Sequence, residues 1–325
     1  MFNAKLESLF VVPARTFDNV KGSFPIGFFI WDTKSNQSGN FSVEADAYDE
    51  KGNFISKKQF SPIDDEVGNI GKWVSTFKDE KGNHLGFMSN GRNDFQNQSL
   101  VYFMNDRAQM PTPRGWWITP RNLIVMGIFV AVRHCIEATW LNDRDQFLYP
   151  NDGWQDDREF LLDCLIYTLF HGQNRISATQ GTNHFIPFTE QQVGCRKAFK
   201  STFMSDYLRN FLDGKISLSA APHSKTDLFT GESSGVKGAC PMSVEAQAVY
   251  DSGLSLWKYY HSQKNANPDA SFYDIRKYFQ GEKNERMNSD SDDETYTALI
   301  TDLRAKQKIL AKKIEAGVYK YGFLR

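Results

Sequence analysis

The run "VVPARTFDNVKGSFPIGFFIWDT" (residues 11–33) constrains the fold more than any other stretch of the chain. It reads as a strand, a turn and a second strand, and Ile26 to Trp31 is apolar on both faces instead of alternating. A strand of that composition normally lies inside a sheet covered on both sides. The rest of the sheet must come from this chain or from a partner.

The remaining pattern predicts an α+β protein: an N-terminal β-rich region (1–115), a helical region (116–212), a loop or linker (213–242) and a C-terminal helical region (243–325). Strands are expected at 9–14, 25–32, 41–48, 54–60, 85–89 and 99–104, separated by turns such as Lys51-Gly52-Asn53 and Asn90-Gly91. Thr119-Pro120 looks like an N-cap with proline at the first helical position, opening a helix to about Leu141. Gln155 to Phe170 is apolar nearly all round and is expected to be central. Thr189 and Gln192 have capping-box spacing, predicting one helix over 190–212. Ser243 opens another helix, a short one follows at 270–279, and Ser291 with Glu294 predicts a last one reaching about 316. With 325 residues, 40% of them hydrophobic, the chain is long enough for a sizeable core. Its longest uncharged apolar run, Leu123 to Val132, is too short to cross a bilayer, and no signal peptide is evident, so a cytoplasmic location without a membrane partner is expected.

A net charge of -1 argues against a uniformly basic nucleic-acid coat. Between Lys81 and Lys197, however, there is no lysine, and the cations include Arg92, Arg107, Arg114, Arg121, Arg133, Arg144, Arg158 and Arg175. Arginine offers a planar fork suited to phosphates, carboxylates and guanine edges. Internal pairing with nearby aspartates is the competing use of each. Cys135, Cys164, Cys195 and Cys240 form no CxxC pair, so neither a disulfide framework nor a zinc site is indicated.

Most catalytic patterns fail. There is no phosphate-binding glycine loop and no GxSxG elbow. His134 and Glu137 would share a helix face and read as an internal polar pair; His171 reads as a helix-terminal contact. The acidic stretch "NDRDQFLYPNDGWQDDRE" could hold a metal ion for phosphodiester cleavage, but no lysine follows its carboxylates, so Asp143, Asp145, Asp152, Asp156 and Asp157 read mainly as loop and N-cap residues. "SNGRNDFQNQ" is more suggestive, because Asn and Gln can pair bidentately with adenine and Arg with guanine. Arg92, Asn93, Gln96 and Asn97 are its candidates. "TPRGWW" adds Arg114, Trp116 and Trp117, able to stack on bases or to roof the core, and "HGQNRIS" adds Gln173, Asn174 and Arg175.

With these residues in view, the opening hairpin resembles the last hairpin of the catalytic domain in N6-adenine DNA methyltransferases of the type I and type II restriction–modification kind, where it closes the sheet and its turn faces the target base. "SNGRNDFQNQ", "AVRHCIEATWLNDRDQFLYPNDGW", "LFHGQNRIS", "HFIPFTEQQVG", "SVEAQAVYDSGLSLWKYYH", "ASFYDIRKYFQG" and "LAKKIEAGVYKYGFL" are similar to the downstream region of a methyltransferase-like subfamily of such systems. The resemblance implies double-stranded DNA as partner and S-adenosylmethionine as cofactor of the whole enzyme. It assigns no catalytic, cofactor-binding or metal residue here, because the glycine-rich cofactor turn and the (D/N)PP(Y/F) tetrapeptide are absent; Pro111-Thr112-Pro113 and "YPNDG" are no substitutes. The expectation is a C-terminal target-recognition portion completing an upstream catalytic domain or a separate methyltransferase subunit. The alternative is a protein-interaction subunit that docks on a methyltransferase or nuclease partner, with Lys306, Lys308, Lys312, Lys313 and Lys320 on its basic face, without touching DNA.

Overall fold

A computed structural model of the chain describes residues 4–22, 24–35, 42–62, 68–110, 114–216, 238–284 and 286–325. The fold is α+β, with strands concentrated in the first part and helices in the second. It divides into two units, one made of residues 1–69, 93–96 and 137–148, the other of 70–92, 97–136 and 149–325.

The first unit holds β1 (Lys5–Pro13), β2 (Pro25–Asp32), β3 (Val43–Tyr48) and β4 (Phe54–Phe60) in the order β2-β1-β3-β4. β1 and β2 form the predicted antiparallel hairpin, β1 runs parallel to β3, and β3 returns antiparallel into β4. Leu9, Val11, Ala45 and Ala47 are its buried core, and Leu6, Val43, Phe60, Trp140 and Leu141 pack around them. β2 differs from the expectation of a covered strand. It is the outer strand of this sheet, and Phe28, Phe29, Ile30 and Trp31 on its two faces are all exposed.

The second unit begins with α1 (Ile70–Ser75), followed by a sheet of β5 (Gly86–Asn90), β6 (Val101–Met104) and β7 (Gly115–Ile118) in the order β6-β5-β7. β7 escaped the sequence reading because four residues led by glycine give little periodicity. Gly115 has φ +153°, and a Cβ there would fall 1.8 Å from the Met88 carbonyl oxygen, so the close approach of β7 to β5 requires glycine.

Then come α2 (Leu123–His134), α3 (Arg158–Phe170), α4 (Glu190–Val193), α5 (Phe203–Leu212), α6 (Val244–His261), α7 (Phe272–Gln280), a two-residue ribbon of β8 (Glu282–Lys283) and β9 (Arg286–Met287), and α8 (Glu294–Lys320). α3 is central as expected, with every residue from Phe160 to Phe170 buried. α8 packs on α6 and α3, where Lys313 pairs with Glu159 (2.6 Å), Asp163 (3.1 Å) and Glu245 (3.3 Å).

Several helix boundaries differ from the expectations, among them the start of α3, at Arg158 behind its Asp157 cap and not at Gln155, and the end of α8, at Lys320. The capping box of Thr189 and Gln192 is present, but Gly194 in the left-handed region (φ 73°) ends the helix after one turn, so 190–212 is two helices. α2 starts after Asn122, not at Pro120, since Thr119 is buried with its hydroxyl donating to Asp79 (2.9 Å); it ends at His134, where Gln98 Nε2 donates to the Arg133 carbonyl at 2.6 Å. Asp293, not Ser291, caps α8 by accepting from the Tyr296 amide (2.8 Å). Of the expected loop 213–242, residues 217–237 lie outside the described residues.

Candidate nucleic-acid interface

The polar run 89–98 is divided between the two units. In the first, Asn93 is partly buried, its carbonyl accepting from Phe147 N (2.8 Å), while Gln96 is exposed and anchored by its own amide on the Asp143 carbonyl (3.1 Å). In the second, Arg92 is exposed and Asn97 partly buried.

The second unit's sheet brings the other two clusters to its opposite edges. At the β7 edge, Arg114 is exposed, and its carbonyl accepts from Asn90 N (3.2 Å). Trp116 and Trp117 follow on opposite faces, as successive strand residues must. Trp116 lies edge-on to Phe129 of α2 (6.3 Å), and Trp117 stacks on His84 (4.2 Å) and meets Phe87 edge-on. Both are partly buried, so each has one ring face committed to the protein.

At the β6 edge the turn after α3 adds one isolated parallel bridge: Phe103 N donates to the Gln173 carbonyl (3.1 Å) and Arg175 N to the Phe103 carbonyl (2.9 Å). Asn174 is buried. Its amide donates to the Leu169 carbonyl (3.1 Å) and accepts from Ile176 N (3.3 Å), so this side chain closes the turn and does not reach outward. Gln173 and Arg175 are partly buried, and Arg175 Nη2 donates to Gln173 Oε1 (2.7 Å) and to the Ser99 carbonyl (3.2 Å). The guanidinium carbon stands 3.8 Å from the Tyr102 ring centroid, so the fork is held flat on an aromatic face.

Of the neighbours of this turn, the sequence reading missed Arg276 and gave His134 the wrong partner. His134 does not pair with Glu137, which lies exposed beyond the helix end; its Nε2 donates to the Val101 carbonyl (2.8 Å). The His134 and His171 rings are 4.8 Å apart, and His171, the C-cap of α3 as expected, stacks on Tyr167. Burial pushes His134 down to about 4, a shift reinforced by Arg133 and Arg175 and opposed by the Val101 hydrogen bond. Burial also holds His171 well below the ordinary histidine value, with His134 and Arg276 adding to the effect. Both rings are neutral at neutral pH. Arg276 of α7 donates from Nη2 to the Gly172 carbonyl (3.2 Å), joining the same turn from over a hundred residues away.

The acidic stretch is dispersed. Asp145 pairs with Lys58 (2.6 Å) and Asp143 is buried beside Arg144 in the first unit; in the second, Asp157 caps α3 by accepting from Phe160 N (3.0 Å), and Asp152 and Asp156 are exposed. Among the described residues no group of three metal-binding side chains occurs, and no helix is long and apolar enough to cross a membrane. A separate polar cleft of about 400 Å³ is lined by Gln191, Gln192, Lys258 and His261. On the C-terminal helix, Lys306, Lys312, Lys313 and Lys320 are each ion-paired with a carboxylate, so the expected basic face is largely neutralised. No protein-family model, curated protein or solved structure matches the chain.

Proposed function

We propose that this chain is the C-terminal, target-recognition portion of an adenine-specific DNA methyltransferase of a restriction–modification system, acting in the cytoplasm. Methyl transfer is left to an S-adenosylmethionine-binding domain upstream of it or on a separate subunit. β2 carries the reading: a core-type strand at the open edge of a sheet, exposed on both faces, has the form of an element that pairs with and is covered by another protein surface. The sequence resemblance of this same hairpin to the closing hairpin of such methyltransferases supports the assignment of that surface. No step of methyl transfer is assigned to this chain, since it holds neither the cofactor's glycine-rich turn nor the tetrapeptide that orients the flipped base.

Base reading falls to the exposed Arg92 and Gln96, with Asn93 and Asn97 beside them in sequence, and backbone contacts to Arg114 and Arg175. The test is selection of a preferred duplex from a randomised pool, followed by anisotropy titration of Arg92→Ala and Gln96→Ala. Each should weaken the preferred duplex by about 1–3 kcal/mol and relax the preference at one position. Uniform weakening across all sequences, or none, refutes the base-reading assignment. Binding of a methyltransferase or nuclease subunit without any DNA shift would instead select the role of interaction subunit.

A further inference from the structure

Outside the base-reading residues, the second unit gathers arginines that have no acid beside them. Arg175 from the turn after α3 and Arg276 from α7 both hydrogen-bond that turn, at Gln173 and Gly172 respectively. Burial pulls the Arg276 guanidinium below its ordinary value, and its Nε is buried with no hydrogen-bond partner. Arg175 lies on Tyr102, and Arg276 lies over Phe272 (5.0 Å) and beside Tyr273 (6.0 Å). Among the described residues no carboxylate forms an ion pair with either arginine. The contrast within the unit is sharp: Lys313 has three carboxylates within 3.3 Å, and Arg209 has Asp206 at 2.5 Å.

Guanidinium groups stay charged at any ordinary pH, so a partly buried set of them calls for an anion. Asp274, the carboxylate two residues before Arg276, is engaged instead by Ser177 Oγ (2.5 Å), Ala178 N (2.8 Å) and Ser271 N (3.0 Å). His134 and His171 are neutral. Arg175 spends Nη2 on Gln173 and Ser99 and has Nη1 to offer, while Arg276 spends one bond on Gly172 and keeps the rest of its fork, an arrangement that suits a tetrahedral oxyanion. The aromatic faces beneath Arg175 and Arg276 hold the forks in place, which reduces the rotamer freedom lost on binding.

We propose that Arg175 and Arg276 form a binding site for a phosphate group, carried either by the DNA backbone or by a free nucleotide. The site stands on the geometry of the second unit alone; that its phosphate belongs to DNA rests on the function proposed above.

The test uses the full chain, with Arg175→Gln and Arg276→Gln as variants and Arg209→Gln as a control whose arginine is already paired. Thermal unfolding is followed in sodium phosphate and in adenosine monophosphate against sodium chloride of equal ionic strength, and duplex DNA affinity is measured in parallel. Phosphate should raise the melting temperature of the unsubstituted chain and of Arg209→Gln but not of the two site variants. If duplex affinity also falls about tenfold in those variants, the site holds backbone phosphates. If it does not fall, the site stands and takes a free phosphate or nucleotide, and the DNA reading loses this contact. A failure of the unsubstituted chain to bind duplex, with the phosphate effect intact, rejects the DNA reading but not the site. Equal effects of phosphate, adenosine monophosphate and chloride on the unsubstituted chain overturn the proposal. Should a glutamine variant fail to fold, Arg276→Lys keeps the charge and loses the fork, and an undiminished phosphate effect there would equally refute the bidentate site.

Discussion

Replacing Phe29 and Ile30 together by lysine is the sharpest perturbation of the proposed docking edge. Each is 55% exposed on β2, so about half of the ~2 kcal/mol that full burial of such a side chain contributes is still unrealised in the isolated chain. With Phe28 and Trp31 included, the edge holds about 4 kcal/mol in reserve, or about a thousandfold in an association constant before ordering costs. The buried halves set the cost to the chain itself. Losing them should lower stability by about 2 kcal/mol at most, and less where the lysine stems cover the same surface. The ring stack of Phe29 on Trp31 is lost, while the β1–β2 ladder, which is backbone, remains. Urea unfolding reports stability, and binding of 8-anilinonaphthalene sulfonate together with sedimentation velocity reports the patch. The double variant should keep a cooperative transition, bind less dye and lose any concentration-dependent association. Loss of more than about 4 kcal/mol would show that these side chains are core, and unchanged dye binding and sedimentation would show that the patch is not a binding surface; either result refutes the reasoning.

Two further outcomes follow from the second unit. His134 is held at about 4 and His171 well below its ordinary value, whereas in the unfolded chain both titrate near 6.5, so the unfolded state binds more protons below that pH. Stability should therefore be intact above about pH 6.5 and fall as pH drops toward 4, with His134 alone contributing about 3 kcal/mol of the loss. Urea midpoints against pH for His134→Gln should show a shallower fall than the unsubstituted chain, and an identical fall contradicts the assignment. Gly253→Ala places a Cβ 2.2 Å from Phe170 Cε1 in the packed centre of α6 against α3. The helix-propensity gain of about 1 kcal/mol is outweighed by about 1–3 kcal/mol of overpacking, so a lower melting temperature is expected; a higher one would mean that Phe170 has room to turn.

Much of the fold was legible because its signals are local. The hairpin of β1 and β2, strands β3 to β6 and the all-apolar α3 follow from composition and turn residues over a few positions. What escaped depends on partners distant in the chain. Nothing near Thr119 announces that Asp79 will take its hydroxyl and move the cap to Asn122, and Gly194 inside an amphipathic run reads as tolerable until its positive φ is seen. The candidate interface divides in the same way. Arg92, Gln96 and Arg114 are exposed, in keeping with their polar loops, whereas Asn174 is spent on closing its turn and both tryptophans commit a face to packing. Arg276 carried no local signal at all, because its significance lies in its approach to the turn after α3 from over a hundred residues away.

Duplex DNA binding across a salt series tests the central claim most directly. With Arg114 and Arg175 each neutralising one phosphate, log affinity should fall linearly with log salt at a slope of about -1.8, roughly twelvefold between 50 and 200 mM. No binding at low salt, or an affinity that does not change across the series, would contradict the account.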